Sequence, residues 1–150
     1  MSDSSFVNPN NTQARGDDTY KNIIDKIKED KVCPFCPEQL ALYHKNPIIT
    51  ENDTWLLTKN MYPYKGAKHH FLLIHKKHIS SPEELSADAK KDLFDIILWT
   101  NRELKIPGGT FFMRYGDTRY TGASVAHLHA QLVSSDPTQE GYEPVLARIG

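Results

Sequence analysis

The chain has 150 residues, of which 39% are hydrophobic and 10% aromatic, and this length and composition favour one domain with a single core. Its formal net charge is −1 with acids and bases interspersed, so we expect no nucleic-acid or membrane partner, and any anionic ligand must be held by local groups. Because no stretch approaches the roughly 20 apolar residues of a membrane span and the N-terminus does not read as a secretory signal, we expect a cytoplasmic protein.

The first 16 residues are rich in Ser, Asn, Asp and Gln, with Phe6 and Val7 as their only large apolar side chains. Such a segment buries too little apolar surface to offset the entropy lost on ordering. We therefore predict a disordered tail over residues 1–16 and a single domain over residues 17–150.

The first predicted elements are a helix and a hairpin. Apolar residues recur at three- and four-residue spacing from Asp18, which predicts a short amphipathic helix that ends before Cys33. Residues 47–51 and 54–59 flank the turn-forming pair Asn52-Asp53, a pattern typical of a β-hairpin.

The middle of the chain predicts a central strand and the longest helix. Residues 70–75 form a compact apolar run, which indicates a central strand. Residues 81–84, Ser-Pro-Glu-Glu, have the spacing of a helix-capping box. A continuous apolar stripe predicts a helix over residues 86–105, which Pro107 and the two following glycines end.

Two strands are predicted after this helix, over residues 110–115 and 126–134, with a polar loop between them. The order of elements provides few connections of the kind that parallel pairing requires. The predicted fold class is therefore α+β, built on an antiparallel sheet.

The last predicted strand carries polar side chains at alternate positions. Side chains two residues apart share one face of a strand, so His127, His129 and Gln131 are expected to line one surface. The alternative is an edge strand whose solvated face happens to hold two histidines. In the preceding loop, residues 116–124, glycines allow backbone N–H groups to approach an anion, although such turns more often only reverse the chain.

The only two cysteines, Cys33 and Cys36, form a C-x-x-C pair that fits one edge of a tetrahedral zinc site. No further cysteine exists, so histidines would complete it. The residues alone leave seven candidates: His44, His69, His70, His75, His78, His127 and His129. A redox pair and two inert buried thiols remain alternatives.

The sequence resembles the histidine triad (HIT) superfamily at two places. Residues 122–133, GASVAHLHAQLV, resemble its hallmark of alternating histidines with a Gly-x-Ser lead-in. Residues 70–78, HFLLIHKKH, are similar to the family's H-x-L-φ-I-P-K-x-H segment. The resemblance spans roughly residues 33–134 and implies a five-stranded antiparallel sheet with two main helices, commonly paired into a homodimer.

The third triad position is glutamine, which resembles the transferase branch that includes galactose-1-phosphate uridylyltransferase and dinucleoside tetraphosphate phosphorylases. The C-x-x-C pair is similar to the zinc-binding pair of that branch. The resemblance implies a structural zinc with four ligands: Cys33, Cys36, His78 and His127.

The resemblance also implies roles for the site residues. His129 would attack the α-phosphorus and form a covalent nucleotidyl-histidine, while Gln131 would hold a phosphoryl oxygen. Residues 60–64, NMYPY, are similar to the segment that lies over the nucleoside in adenylyl-transferring relatives. The implied substrate-binding residues are Asn60, Tyr62, Arg114, Gly122 and Ser124.

The expected function is therefore nucleotidyl transfer or phosphorolysis on a nucleotide or dinucleoside polyphosphate, with phosphate or a phosphorylated compound as acceptor. Glutamine cannot transfer a proton, so phosphoanions that need little protonation are the expected leaving groups. The alternatives are a HIT-type hydrolase of nucleoside phosphoramidates or dinucleoside polyphosphates, a catalytically weak nucleotide-binding module, and a thiol-disulfide redox protein.

Overall fold

A computed structural model of the chain describes residues 5–12 and 18–150. They form three helices and five strands, in agreement with the predicted α+β class. The helices are α1 (Thr19–Asp30), α2 (Pro37–Tyr43) and α3 (Ala87–Glu103). The strands are β1 (Ile48–Glu51), β2 (Trp55–Lys59), β3 (Ala67–His75), β4 (Thr110–Arg114) and β5 (His129–Ser135). The short helix α2 was not predicted from the sequence, which indicated two main helices.

The five strands form one antiparallel sheet in the order β1-β2-β3-β5-β4. Thr58, Leu72, Gln131 and Phe112 are aligned across four of the strands. Because side chains opposite one another share a face of the sheet, this row lies on one face, and the rows displaced by one residue lie on the other.

The other face of the sheet forms the main core under α3. Leu57, Leu73 and Ala130 are each 0% exposed there. The apolar stripe of α3 packs on them through Ala89, Leu93, Ile96, Ile97 and Thr100. Each large aliphatic side chain that becomes fully buried in this layer stabilises the fold by about 1.5–3 kcal/mol.

The helix starts follow the chemistry of their capping residues. The predicted capping box exists, since Ser81 and Glu84 exchange side-chain and backbone hydrogen bonds, but it begins a single 3-10 turn over Pro82–Glu84. The long helix begins later, where the Ser86 side chain accepts a hydrogen bond from the Ala89 N–H group.

Residues 5–12 are ordered, so the prediction of a disordered tail is wrong for this part of it. Val7 is 2% exposed and forms an isolated antiparallel bridge with Val125. On either side of that bridge, Phe6 accepts a hydrogen bond from the Ala126 N–H group at 2.9 Å, and Asn8 donates one to Ser124 at 2.8 Å. Residues 1–4 and 13–16 of the predicted tail lie outside the described residues.

The described N-terminal residues and α1 cover the same side of the molecule. Val7, Ile24, Ile27 and Val125 form a small apolar cluster there. Within the described part of the chain, no helix combines the length and the apolar character needed to cross a lipid bilayer.

Candidate active site and metal centre

Two cysteines and two histidines converge at one end of the sheet. Nδ1 of His127 lies 3.4 Å from Sγ of Cys33 and 3.7 Å from Sγ of Cys36. Nδ1 of His78 lies 3.4 Å from Sγ of Cys36 and 3.2 Å from Nδ1 of His127. All four ligand atoms fall within 4.8 Å of one another, so they can reach a common ion.

These separations fit a tetrahedral zinc ion. Zn–S bonds of about 2.3 Å and Zn–N bonds of about 2.0–2.1 Å imply S–N separations of roughly 3.5 Å and N–N separations of roughly 3.3 Å. The three cysteine–histidine distances given above and the histidine–histidine distance lie within a few tenths of an ångström of these values. The residues present therefore fit zinc, with two thiolates and two imidazoles and no position left for water.

His127 is oriented for this role by a backbone hydrogen bond. Its Nε2 lies 2.6 Å from the carbonyl oxygen of His75, which can only accept, so Nε2 carries the proton and Nδ1 presents its lone pair to the cysteines. The ring of Phe6 packs edge-on against His78, with 5.4 Å between ring centroids. The N-terminal segment therefore also supports a candidate metal ligand.

The electrostatics do not favour a redox pair. Burial raises the pKa of Cys36 to about 12 and also raises the pKa of Cys33. Catalytic C-x-x-C pairs have the opposite property, a lowered thiol pKa at an electropositive site. Instead, Nδ1 of His78 and Nδ1 of His127 both lie close to the cysteine sulfurs, an arrangement that suits a metal ion.

His127 keeps the predicted alternation but lies outside the strand. Leu128, Ala130 and Leu132 all enter the main core, and the Phe35 ring packs edge-on against both His127 and His129. However, β5 begins only at His129 and the chain bends at His127. The reason is a change of bonding partners, because the N–H group of Leu128 donates to the Ile79 carbonyl and the Leu128 carbonyl accepts from His75. The bend turns His127 toward the cysteines.

His129 commits the other ring nitrogen to the backbone, so its free nitrogen is Nε2 where that of His127 is Nδ1. Its Nδ1 lies 2.8 Å from the carbonyl oxygen of His127, so Nδ1 carries the proton and Nε2 holds the lone pair. Burial lowers the pKa of His129 to about 4, and the charge of Arg114 on the neighbouring strand contributes to this shift. The imidazole is therefore neutral near pH 7 and its Nε2 is available as a nucleophile.

Gln131 is held by His70 on β3. The Tyr64 N–H group donates to Nδ1 of His70 at 3.1 Å, so His70 must donate through Nε2, which lies 2.6 Å from Oε1 of Gln131. With its oxygen engaged, Gln131 offers its NH₂ group to a ligand. A phosphoryl oxygen is an acceptor that suits this group.

All seven residues assigned from the sequence to catalysis or substrate binding line one cleft of about 840 Å³, including its open mouth: Asn60, Tyr62, Arg114, Gly122, Ser124, His129 and Gln131. Two arginines, Arg114 and Arg148, and no carboxylate belong to the described lining. The cleft is therefore locally cationic although the chain has a net charge of −1.

Arg114, the last residue of β4, connects the sheet to the C-terminal segment. Its guanidinium group donates to the Arg148 carbonyl at 2.5 Å and to the Tyr64 hydroxyl at 3.4 Å. Its Nε atom is buried without a hydrogen-bond partner among the described residues. A buried donor of this kind is costly unless a ligand satisfies it, which makes Arg114 a candidate anion contact.

The loop before β5 is positioned by the N-terminal segment and by α1. The Asn11 side chain donates to the carbonyl oxygens of Thr118 at 2.6 Å and Ala123 at 2.8 Å. The Tyr20 hydroxyl makes a short hydrogen bond with the Ser124 hydroxyl. Gly122 has a φ of +71°, and a Cβ atom there would lie 3.4 Å from the Arg148 carbonyl oxygen, so glycine suits both the turn and the C-terminal contact.

Asn60 and Tyr62 form another part of the wall. The Asn60 side-chain oxygen accepts the Tyr62 N–H at 2.7 Å, which fixes the amide orientation. The amide nitrogen lies 3.2 Å from Nε2 of His70, but both nitrogens carry protons, so this is a contact and not a hydrogen bond. The Tyr62 ring lies 4.9 Å from the ring of Tyr20.

The sequence analysis did not assign four of the residues that build this site: Asn11, Tyr20, His70 and Arg148. Their contacts join segments more than 30 residues apart, which local periodicity does not report. Arg119, in the same loop as Gly122 and Ser124, forms an ion pair with Asp117 and is outside the cleft lining.

No protein-family model matches the sequence, and no curated protein matches it. Solved structures do match. A HIT family hydrolase from Clostridium thermocellum is 25% identical, with 72% of this chain and 94% of that chain covered and a TM-score of 0.54. A histidine triad nucleotide-binding protein from Candida albicans is 20% identical, with coverages of 78% and 86% and a TM-score of 0.59.

A zinc-bound histidine triad family protein from Mycobacterium smegmatis is 18% identical, with coverages of 72% and 78% and a TM-score of 0.54. These likenesses show that the chain has the fold of histidine triad proteins. They agree with the five-stranded antiparallel sheet that the sequence resemblance implied.

Proposed function

We propose that the chain is a nucleotidyltransferase or phosphorylase of the HIT superfamily, from its transferase-like branch. The donor is a nucleotide or dinucleoside polyphosphate, and the acceptor is phosphate or a phosphorylated compound. One observation carries this proposal. The neutral imidazole of His129 has its lone pair on Nε2 and lies at the wall of a cleft whose described lining contains two arginines and no carboxylate.

The chemistry follows from the hydrogen bonds of His129. Nε2 attacks the α-phosphorus of the donor, the bond to the leaving phosphate oxygen breaks, and the imidazole becomes a positively charged nucleotidyl-histidine. The Nδ1 proton stays on its nitrogen, hydrogen-bonded to the His127 carbonyl oxygen, whose partial negative charge stabilises this cation. An acceptor oxygen then attacks the phosphorus from the opposite side and releases His129.

Gln131 and Arg114 have complementary roles in this scheme. The amide of Gln131 donates to a non-bridging oxygen of the phosphoryl group, and the guanidinium of Arg114 neutralises charge on the leaving or accepting phosphate. Neither side chain supplies a proton to an alkoxide or amine leaving group. Phosphoanions, which leave and attack without that proton, are therefore the favoured partners of the reaction.

The metal centre has a structural role in this proposal. Cys33, Cys36, His78 and His127 would hold zinc, which would supply folding energy and fix His127, whose carbonyl oxygen orients His129. A reduced pair of zinc thiolates agrees with the cytoplasmic location expected from the sequence.

The test is interception of the covalent intermediate. Protein is mixed with labelled nucleotides or dinucleoside polyphosphates, quenched within milliseconds to seconds, and analysed by intact mass and peptide mapping. We expect a nucleotidyl adduct on His129 that inorganic phosphate or a phosphorylated acceptor discharges faster than water does. Discharge by water at the same rate as by every phosphoanion would replace transferase with hydrolase.

The hydrolase is the second candidate because one structurally similar protein, that from Clostridium thermocellum, is described as a HIT family hydrolase. Gln131→His provides the internal comparison, since a histidine at this position can manage a proton that glutamine cannot. The substitution is expected to shift discharge of the intermediate toward water. A protein that binds nucleotide but never forms the adduct would instead be a nucleotide-binding module.

A further inference from the structure

A buried threonine fixes the protonation of His44, which follows the last residue of α2. Thr58 on β2 is 0% exposed, and its hydroxyl donates its only proton to the Pro47 carbonyl oxygen at 2.9 Å. Nε2 of His44 lies 2.7 Å from the same hydroxyl oxygen, which therefore has only a lone pair to offer. His44 must donate through Nε2, and in a neutral imidazole Nδ1 is then an acceptor.

The acceptor nitrogen is available to a ligand. His44 lines the cleft, and its Nδ1 has no hydrogen-bond partner within the described residues. This nitrogen is not fully buried, so a ligand in the cleft can reach it. Burial of the ring lowers the pKa of His44, which keeps the ring neutral near pH 7 and preserves this acceptor.

The position of His44 relative to Gln131 suits the base of a nucleotide. Gln131, Leu72 and Thr58 are aligned on three neighbouring strands, which places Thr58 roughly 10 Å from Gln131 at the usual strand spacing. With the α-phosphorus at His129 and Gln131, a span of that size reaches beyond the ribose to the edge of the base.

Much of the cleft wall is apolar. Its lining includes Ile23, Ile27, Phe35, Tyr43 and Leu72. A flat aromatic base fits such walls, and the acceptor nitrogen of His44, beside Thr58, offers a defined hydrogen bond to the edge of the base.

We infer that His44 reads the base of the bound nucleotide through Nδ1 and selects a base with an exocyclic amino group over the same base with an oxo group. The inference rests on the proposed function, because it requires a nucleotide with its phosphate at His129. An amino group donates to Nδ1, whereas an oxo group places two lone pairs against each other and leaves both unsatisfied. The preferred ligands are adenine over hypoxanthine nucleotides and cytosine over uracil nucleotides.

The test compares matched pairs of ligands on the zinc-loaded full chain by calorimetry: AMP with IMP, and CMP with UMP. We expect the amino member of at least the better-binding pair to bind about tenfold more tightly, the ratio that one satisfied hydrogen bond provides. His44→Leu should bring this ratio close to one. His69→Leu, the same change at a histidine outside the cleft lining, is the control and should leave the ratio unchanged.

Thr58→Val tests the mechanism more directly. Valine keeps the shape of threonine but removes the hydroxyl, so His44 is free to donate or accept, and the ratio should fall below about threefold. Melting temperatures of both variants show whether a change in ratio accompanies unfolding. 2′-deoxy-AMP tests whether His44 contacts the sugar and not the base. If His44 held the ribose hydroxyl, 2′-deoxy-AMP would bind wild-type protein more weakly than AMP, and His44→Leu would leave the ratio of AMP to IMP affinity unchanged.

The outcomes distinguish this inference from the proposed function. Equal binding of the amino and oxo members by wild-type protein, with the His129 adduct still formed, overturns the role of His44 alone. Failure of every nucleotide to bind or to label His129 overturns both.

Discussion

Two histidines of the same segment receive different roles from the nitrogen that each commits to the backbone. His127 donates through Nε2 to the His75 carbonyl oxygen and turns Nδ1 to the cysteines. His129 donates through Nδ1 to the His127 carbonyl oxygen and presents Nε2 to the cleft. Since a neutral imidazole has one donor and one acceptor, these bonds alone distinguish the proposed metal ligand from the proposed nucleophile.

His129→Ala should therefore remove chemistry without removing the metal. We expect turnover to fall by about a thousandfold or more, because no other described side chain of the cleft is placed to form the covalent intermediate. Zinc content should stay unchanged and nucleotide binding should remain within about threefold of wild type. Intact-mass labelling, metal analysis and equilibrium binding on the same preparation provide the three measurements.

His127→Ala is the matched variant two residues away. It removes a proposed zinc ligand, so zinc should be lost and the free energy of unfolding should fall by at least about 2 kcal/mol. Thermal or denaturant unfolding measures this loss. Retention of full zinc by His127→Ala, or equal stability of the two variants, would contradict the division of roles.

The metal content itself is a separate prediction. Protein purified without chelators should contain about one zinc per chain, and slow removal by a chelator should lower the melting temperature before it abolishes labelling of His129. Cys36→Ser should lose the metal. His44→Leu should keep it, because Nε2 of His44 is engaged by Thr58 and its ring is outside the cluster. A metal content near zero in wild-type protein would refute the proposal.

At the scale of elements, the N-terminal segment over residues 5–12 positions the loop before β5. The two hydrogen bonds from the Asn11 side chain hold the carbonyl oxygens of Thr118 and Ala123, on either side of the turn that is proposed to bind phosphate. Their loss should let this loop relax from the geometry that a bound phosphate requires.

Asn11→Ala is therefore expected to weaken nucleotide binding by about tenfold while leaving the zinc content intact. Asn10→Ala is the control, because Asn10 is an exposed neighbour in the same turn that is outside the cleft lining. Calorimetric titration of both variants with one nucleotide measures the difference. An equal effect of the two substitutions would mean that Asn11 contributes to the segment in general and not to the loop.

The elements also show what the sequence can and cannot predict. Helix α3 and the hairpin were predicted correctly because one apolar stripe and one turn-forming pair determine them locally. The ordered segment at Val7 was missed, since it depends on a bridge to Val125, which is more than 100 residues away in the chain. Strand alternation correctly placed His127 and His129 on one side, but the predicted strand began too early, because the bonds of Leu128 to Ile79 and His75 that bend the chain are not visible locally.

In the candidate site, too, local sequence patterns predicted which residues come together but not the contacts between distant strands. The C-x-x-C spacing and the two histidine segments identified residues that the structure brings into one cluster of candidate metal ligands and one cleft. The orientation of Gln131 and the protonation of His44 were not predictable, since each depends on hydrogen bonds to residues on other strands, His70 and Thr58.

At the scale of the whole molecule, one exposed apolar surface has no role in the described chain. On α3, Phe94 is 54%, Leu98 48% and Trp99 37% exposed, and on β4, Phe111 is 45% exposed. The rings of Phe94 and Phe111 are 5.8 Å apart, so the helix and the strand contribute to one continuous patch. β4 is an edge strand of the sheet. Apolar patches that extend to a sheet edge are typical of subunit interfaces.

We therefore expect the chain to form a homodimer through α3 and β4. Trp99→Glu places a charge in the patch and should convert the dimer to a monomer at micromolar concentration, because large aromatic residues contribute about 2 kcal/mol or more at the centre of an interface. Leu42→Glu is the control, since Leu42 is 63% exposed on α2 and lies outside the patch. Light scattering after size-exclusion chromatography measures the mass. A wild-type monomer, or a Trp99→Glu protein that remains dimeric, would exclude this interface.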